Sequence, residues 1–297
     1  MRTRVLCVTV LLAMQMATLP SAQAPAPGAR QGQGAQGARG GQAPGRGAAA
    51  ATAADFNPYD IAEIWQFRGD RGVNPKVPEM TPLGEKMFNA NKPSYGRALG
   101  SPLNGEHIGR VRAVPPALGN SLVGDCNTLG IPRAYYEPEP VEFIVLPGRV
   151  LQFFSWTRAL REIWTDGRKF PDNPDALQPT WYGYNIGHWE GEEFVVDSLG
   201  YDGRSWLDHF GYPHSENMRL QERFRRVASN RMELVITIND PAIYKTPWVS
   251  QTHEFFLVPR AELTLNGWYG FLEGICAPID EQEFNRRVRD DAGGVKK

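Results

Sequence analysis

Cysteine is scarce in this chain, three residues in 297. Charge of either sign is not in excess: 32 Lys and Arg stand against 33 Asp and Glu, so nothing basic draws the protein onto nucleic acid. Arg219, Arg223 and Arg225 then read as a solvated outer strip. A G-x-S-x-G elbow is missing, and no Walker or G-x-G-x-x-G pattern occurs in the part that can fold, which removes the usual nucleotide readings. No H-E-x-x-H occurs either, so a helix-borne metal site has no support. Ser215 follows His214 directly, and neighbours in an extended segment point apart, which argues against those two as nucleophile and base.

What is present begins with an export signature. Residues 1–24 have a basic start (Arg2, Arg4), an apolar core over 5–19 and a small-residue end at Ala22-Gln23-Ala24, the layout of a secretory signal too short to stay in a membrane. Pro25 disfavours cutting after Ala24, which leaves Ala22 as the alternative; Cys7 is not at a lipoprotein box, so no lipid or transmembrane anchor is expected. Residues 25–54 are Gly, Ala, Gln, Pro and Arg, with too little apolar surface to order, and read as a flexible leader. One folded domain is expected over 55–285 and a charged tail over 286–297. The expected location is periplasmic or secreted. Cys126 and Cys276 are then expected to form a disulfide in an oxidising compartment, with two buried free thiols as the alternative.

Helix signals are confined to 82–90, where Thr81 offers a cap, Pro82 a first-turn proline and Glu85 a first-turn acid. Residues 59–67 are a short strand or a turn of helix. Proline and glycine recur over 91–140, predicting an irregular wrap over the surface of the core. Strand-length segments follow at 141–146, 150–156, 159–165, 184–189, 193–199, 218–227, 232–239, 248–258, 261–265 and 268–276, joined mainly by hairpins. The expected fold class is mainly β, an antiparallel meander closing into a β-barrel-like (lipocalin-like) domain.

The ordered motifs carry a resemblance. REIWTDGR at 161–168, GHWEGEEFVVDSLGY at 187–201, WLDHFGYPHS at 206–215, ERFRRV at 222–227, ITINDP at 236–241 and TPW at 246–248 are similar to those of a large, mostly uncharacterised family of secreted soil-bacterial proteins. FNANKPSYG, AVPPALGN and DCNTLGIPR upstream match as well. Asp208, His214 and Ser215 fall on fixed positions of that pattern, and His209 on a variable one. Extra residues between Gly96 and Arg112 leave His107 without a family role.

Alternation singles out Glu222. Met218, Leu220, Glu222 and Phe224 share one face of their strand, so a carboxylate sits among apolar side chains and must pair, bind a cation or hold a raised pKa. Arg161 or Arg168 is the expected structural partner. Asp197 poses the same question more weakly, at a strand end. Asp208, His209, His214 and Glu216 share a Gly- and Pro-containing connection: two imidazoles plus carboxylates could hold a metal, His214 could be a general base oriented by Asp208, or the group could be turn architecture. Seven tryptophans between 156 and 268 either fill the barrel or line its mouth, Trp189 and Trp206 among them. The expected function is small-molecule binding in an aromatic-lined pocket with a polar rim of Asp208, His214, Glu222, Arg161 and Arg168. The alternative is a hydrolase, lyase or isomerase with Glu222, His214 and Asp208 as acid–base or metal-binding groups. No cofactor is called for, and the chain is expected to be a monomer or weak dimer.

Overall fold

A computed structural model describes residues 56–93, 119–260, 276–277 and 283, all within one unit, Ala48–Lys297. The signal and leader, His107, the strands expected over 261–275 and the charged tail lie outside the described residues. Ten strands follow in order: β1 (Ile64–Phe67), β2 (Val141–Leu146), β3 (Arg149–Phe154), β4 (Ala159–Trp164), β5 (Tyr184–Glu190), β6 (Glu193–Leu199), β7 (Arg219–Ala228), β8 (Arg231–Asn239), β9 (Trp248–Val249) and β10 (His253–Leu257). The helix α1 (Pro82–Ala90) begins where Thr81 accepts the Gly84 N–H. β10 pairs with both β1 and β8, so nine strands close a ring, and β9 pairs with β8 farther along the edge that β10 uses. The β-barrel expected from the sequence is the observed fold.

Three departures have identifiable causes. β4 and β5 are parallel, with Ile163 opposite Asn185, whereas every other pair is antiparallel. The strand expected over 248–258 is two strands, because Ser250 uses its own Oγ to accept the Ile236 N–H and donates it to the Gln251 carbonyl, turning the backbone out of the ladder. The irregular stretch before β2 does not stay on the surface: residues 129–137 are all buried. That run, LGIPRAYYE, has apolar and aromatic side chains to bury and no strand period to reveal it.

The two ends of the barrel differ. Tight turns join β2 to β3, β5 to β6 and β7 to β8 at one end, with glycines at positive φ in the first two. Long connections crowd the other end, where residues 205–214 are all buried as well. The 129–137 and 205–214 segments thus close this mouth as a plug. A disulfide between Cys126 and Cys276, 150 residues apart, anchors the chain just before the plug.

Inside, alternation runs as the sequence predicts: Leu220, Glu222 and Phe224 on β7 and Met232, Leu234, Ile236 and Ile238 on β8 all face the core. Tyr135 reaches in from the plug and packs its ring against Phe154, Phe224 and Phe255. Gly187 on β5 leaves room for the Phe194 ring, which would meet a Cβ there at 2.6 Å.

Candidate functional site

Glu222 lies at mid-barrel, between Val196 on β6 and Ile236 on β8, with no exposed surface. Its partner is Arg161 on β4: Nη1 donates to Oε1 at 2.9 Å and Nη2 to Oε2 at 2.5 Å. The remaining guanidinium hydrogens go to Asn185 Oδ1, Ser198 Oγ, Gln152 Oε1 and the Tyr135 hydroxyl. Tyr135 in turn sets its hydroxyl 2.7 Å from Glu222 Oε1. Burial works against the Arg161 charge, but Glu222 more than offsets it and holds the guanidinium more firmly protonated than usual. Burial, and then the Glu222 charge, push the Tyr135 phenol well above its ordinary value. Such a carboxylate, paired twice and sealed under a tyrosine, is built to hold strands together and has no open side for a substrate.

The second polar group lies within the plug. Asp208 is fully buried; its Oδ1 accepts the amides of Phe210 (2.9 Å) and Tyr212 (3.4 Å), and burial pushes its carboxyl up to about 7. His209 Nε2 meets Glu137 Oε1 at 3.1 Å. Arg133, also buried, donates to Ser121 Oγ and stacks over Trp206 at 5.2 Å. His214 is buried between Ser205 Oγ, 2.7 Å from Nε2, and the Ser215 carbonyl, 3.0 Å from Nδ1. Ser215 is itself gripped by Asp240, which accepts both its N–H (2.6 Å) and its Oγ–H (2.7 Å). Burial lowers the pKa of both histidines, so each is neutral at neutral pH.

These shifts have opposite consequences for stability. A buried neutral histidine supports the fold above its ordinary 6.5, and that support fades as pH falls through 6.5 towards the folded value. Asp208 behaves in reverse: its folded value exceeds its ordinary 3.8, so its support is full below 3.8 and is lost as pH rises through 7. The D208N variant keeps an Oδ1 for the two amides and removes the buried charge. It is expected to be more stable than the parent by about 2 kcal/mol at pH 8, with the gap closing towards pH 4. Urea midpoints measured at both pH values decide this, and an equal or lower midpoint for D208N at pH 8 would refute it.

The other residues expected to join the site are elsewhere. Arg168 is exposed, paired with Asp166 in its own turn and stacked on Trp164 at 3.5 Å. Asp197 faces outward and accepts from Gln221 at 3.0 Å. Trp189 is 39 % exposed at the tight-turn end, against Tyr59 and Phe194, whereas Trp206 is buried at the plugged end. The expected rim is therefore divided: Arg161 and Glu222 meet inside, Asp208 and His214 are buried in the plug, and Arg168 lies outside. Among the described residues no group of three or more His, Cys, Asp or Glu is arranged to hold a metal ion. Sequence reasoning missed Tyr135, Gln152, Asn185, Ser205 and Asp240; only Asp240 stands in one of the motifs, ITINDP, and nothing there marks it as the partner of Ser215.

A groove lies on the outer wall at the plugged end. Its volume is about 360 Å³; Pro174, Leu177 and Pro179 line it together with Glu216, Asn217 and Arg219, next to the buried Leu199 and Met218. The side chains of Glu216 and Arg219 make no ion pair or hydrogen bond among the described residues. No protein-family model, curated protein or solved structure matches the chain. Among the described residues no helix is long and apolar enough to cross a membrane.

Proposed function

We propose that this protein is a small-molecule-binding barrel of the periplasm or secreted space, and that its guest sits in the outer groove beside the plug. The observation that carries the reading is the groove itself: a volume of about 360 Å³, a mixed lining of Pro174, Leu177 and Pro179 with polar side chains, and two charges of opposite sign, Glu216 and Arg219, that are unpaired among the described residues. Pockets of roughly 300–1,000 Å³ with an apolar bed and a few polar anchors are the common form of small-molecule sites. The guest fitting this chemistry is amphiphilic, with a small apolar part against Pro174, Leu177 and Pro179 and a charged or zwitterionic end towards Glu216 and Arg219. A disulfide agrees with export to an oxidising compartment. The reading groups the chain with the secreted soil-bacterial proteins whose motifs it resembles.

The test is a thermal-shift screen of small amphiphilic acids, amines and zwitterions, with the N217W variant beside the parent. Asn217 is exposed, so an indole there fills the groove without entering the core. A compound that stabilises the parent is expected to lose at least about tenfold in affinity, or 1.4 kcal/mol, in N217W. Binding that is equally tight in N217W would locate the guest elsewhere and overturn the assignment.

A further inference from the structure

We propose that Ser205 and His214 form a nucleophile–base pair that can accept an acyl group from a small ester, an activity that does not depend on the outer groove. The arrangement has the three parts such chemistry requires: a hydroxyl, an imidazole that takes its proton, and a group that holds the imidazole in the right tautomer. Ser205 Oγ is 2.7 Å from His214 Nε2, and the Ser215 carbonyl is 3.0 Å from Nδ1. A carbonyl can only accept, so the ring proton resides on Nδ1 and the Nε2 lone pair faces the hydroxyl. Asp240 completes the relay from behind, fixing Ser215 through both its amide and its hydroxyl.

The hydroxyl is presented on a tight turn. Asp202 accepts from the Arg204 amide and guanidinium, and the Ser205 amide returns to the Asp202 carbonyl. Across from it Gly130 adopts φ +75°, and a Cβ there would be 2.6 Å from Ser205 Oγ, so only glycine lets the 129–137 segment pack this closely on Ser205. Ser205 is buried, with 6 % exposure, so the reagent for testing it is a small acetyl ester. The titratable groups facing the imidazole are Asp202 and Asp240, with the Tyr201 ring edge-on at 6.0 Å. Burial outweighs the pull of those two carboxylates and keeps His214 below its ordinary value, hence competent as a base at neutral pH.

In the step proposed, Ser205 Oγ bonds to the acyl carbon as its proton passes to His214 Nε2. The ester C–O bond then breaks, and the leaving alcohol departs with that proton. Water, deprotonated by the same nitrogen, releases the carboxylic acid and restores the serine. Atoms and charge balance with ester and water alone.

The experiment treats the oxidised protein with p-nitrophenyl acetate, and separately with a small alkyl fluorophosphonate, and maps the modified residue by peptide mass spectrometry. Modification at Ser205 is expected, with a rate that climbs with pH and levels off by about pH 7 as His214 loses its proton. H214Q is expected to react roughly 100-fold more slowly, since a positioned general base contributes about 10²–10⁴-fold. An unmodified Ser205, or an equal rate in folded H214Q, would overturn the proposal. Should H214Q fail to fold, S205C supplies the readout. Alkylation of that thiol by iodoacetamide with an inflection well below the ordinary cysteine value of about 8.5 supports the pair, and one at or above it refutes the pair.

Discussion

R161M is expected to lose on the order of 3–5 kcal/mol of stability, enough to unfold much of the protein at 37 °C, because it leaves the Glu222 charge in the barrel interior with no counter-ion. Both side chains have no exposed area, so water cannot take over the lost contacts. Methionine occupies comparable space, so the loss reports the polar network and not a cavity. Asn185 and Ser198 lose donors in the same substitution, which adds to the effect. E222L is expected to destabilise as well, since it strands the guanidinium. The double variant R161M/E222L removes both charges and should lie at least about 2 kcal/mol above the sum of the single effects. Urea unfolding of the four proteins provides the cycle. A single variant within about 1 kcal/mol of the parent would mean that the pair adds little to the stability of the barrel.

Removing the disulfide has the other large expected effect. A link between positions 150 apart restricts the unfolded chain by about 5 kcal/mol in the loop-entropy picture. The double variant C126S/C276S should therefore melt roughly 10–20 °C lower than the oxidised parent, using about 2–4 °C per kcal/mol for a domain this size. The effect has a local side too. Cys126 ends a short 3-10 turn, three residues before the buried run over 129–137, so the tether holds the entry to the plug. Hydrogen exchange at Tyr135 and Tyr136 is expected to quicken more in the variant than exchange at Leu234 and Ile236. Uniform quickening would mean that the link acts through the unfolded chain alone.

The barrel was legible because its strands obey a two-residue period. The same period placed Glu222 on the inner face before any partner was known. Choosing Arg161 over Arg168 was beyond it, because that choice depends on β4 lying alongside β5 in parallel, a pairing between segments separated by a proline-containing loop. Period also says nothing of depth in irregular chain. The connection containing Asp208, His209 and His214 has the composition of an exposed binding loop, yet it is buried, since Trp206, Leu207, Phe210 and Tyr212 carry it inward. Tyr135 was hidden for the same reason, in a stretch whose prolines and glycines suggest surface. Ser205 escaped notice because it lies nine positions before His214 along irregular backbone, and only the fold of the plug brings the two together.

The side-by-side β4 and β5 have a consequence of counting. A closed ring whose members alternate up and down must have an even number of them, and this ring has nine, so two neighbours somewhere are obliged to run the same way. Between such neighbours no hairpin is geometrically available, and the chain has to travel the full height of the wall before it can re-enter. Residues 165–183 are that return journey, and Pro174, Leu177 and Pro179 on it form one bank of the groove. The groove is thus a by-product of parity: a ring of eight or ten strictly alternating members could be joined by end-to-end turns alone, with a bare wall and nothing against which a guest could lodge.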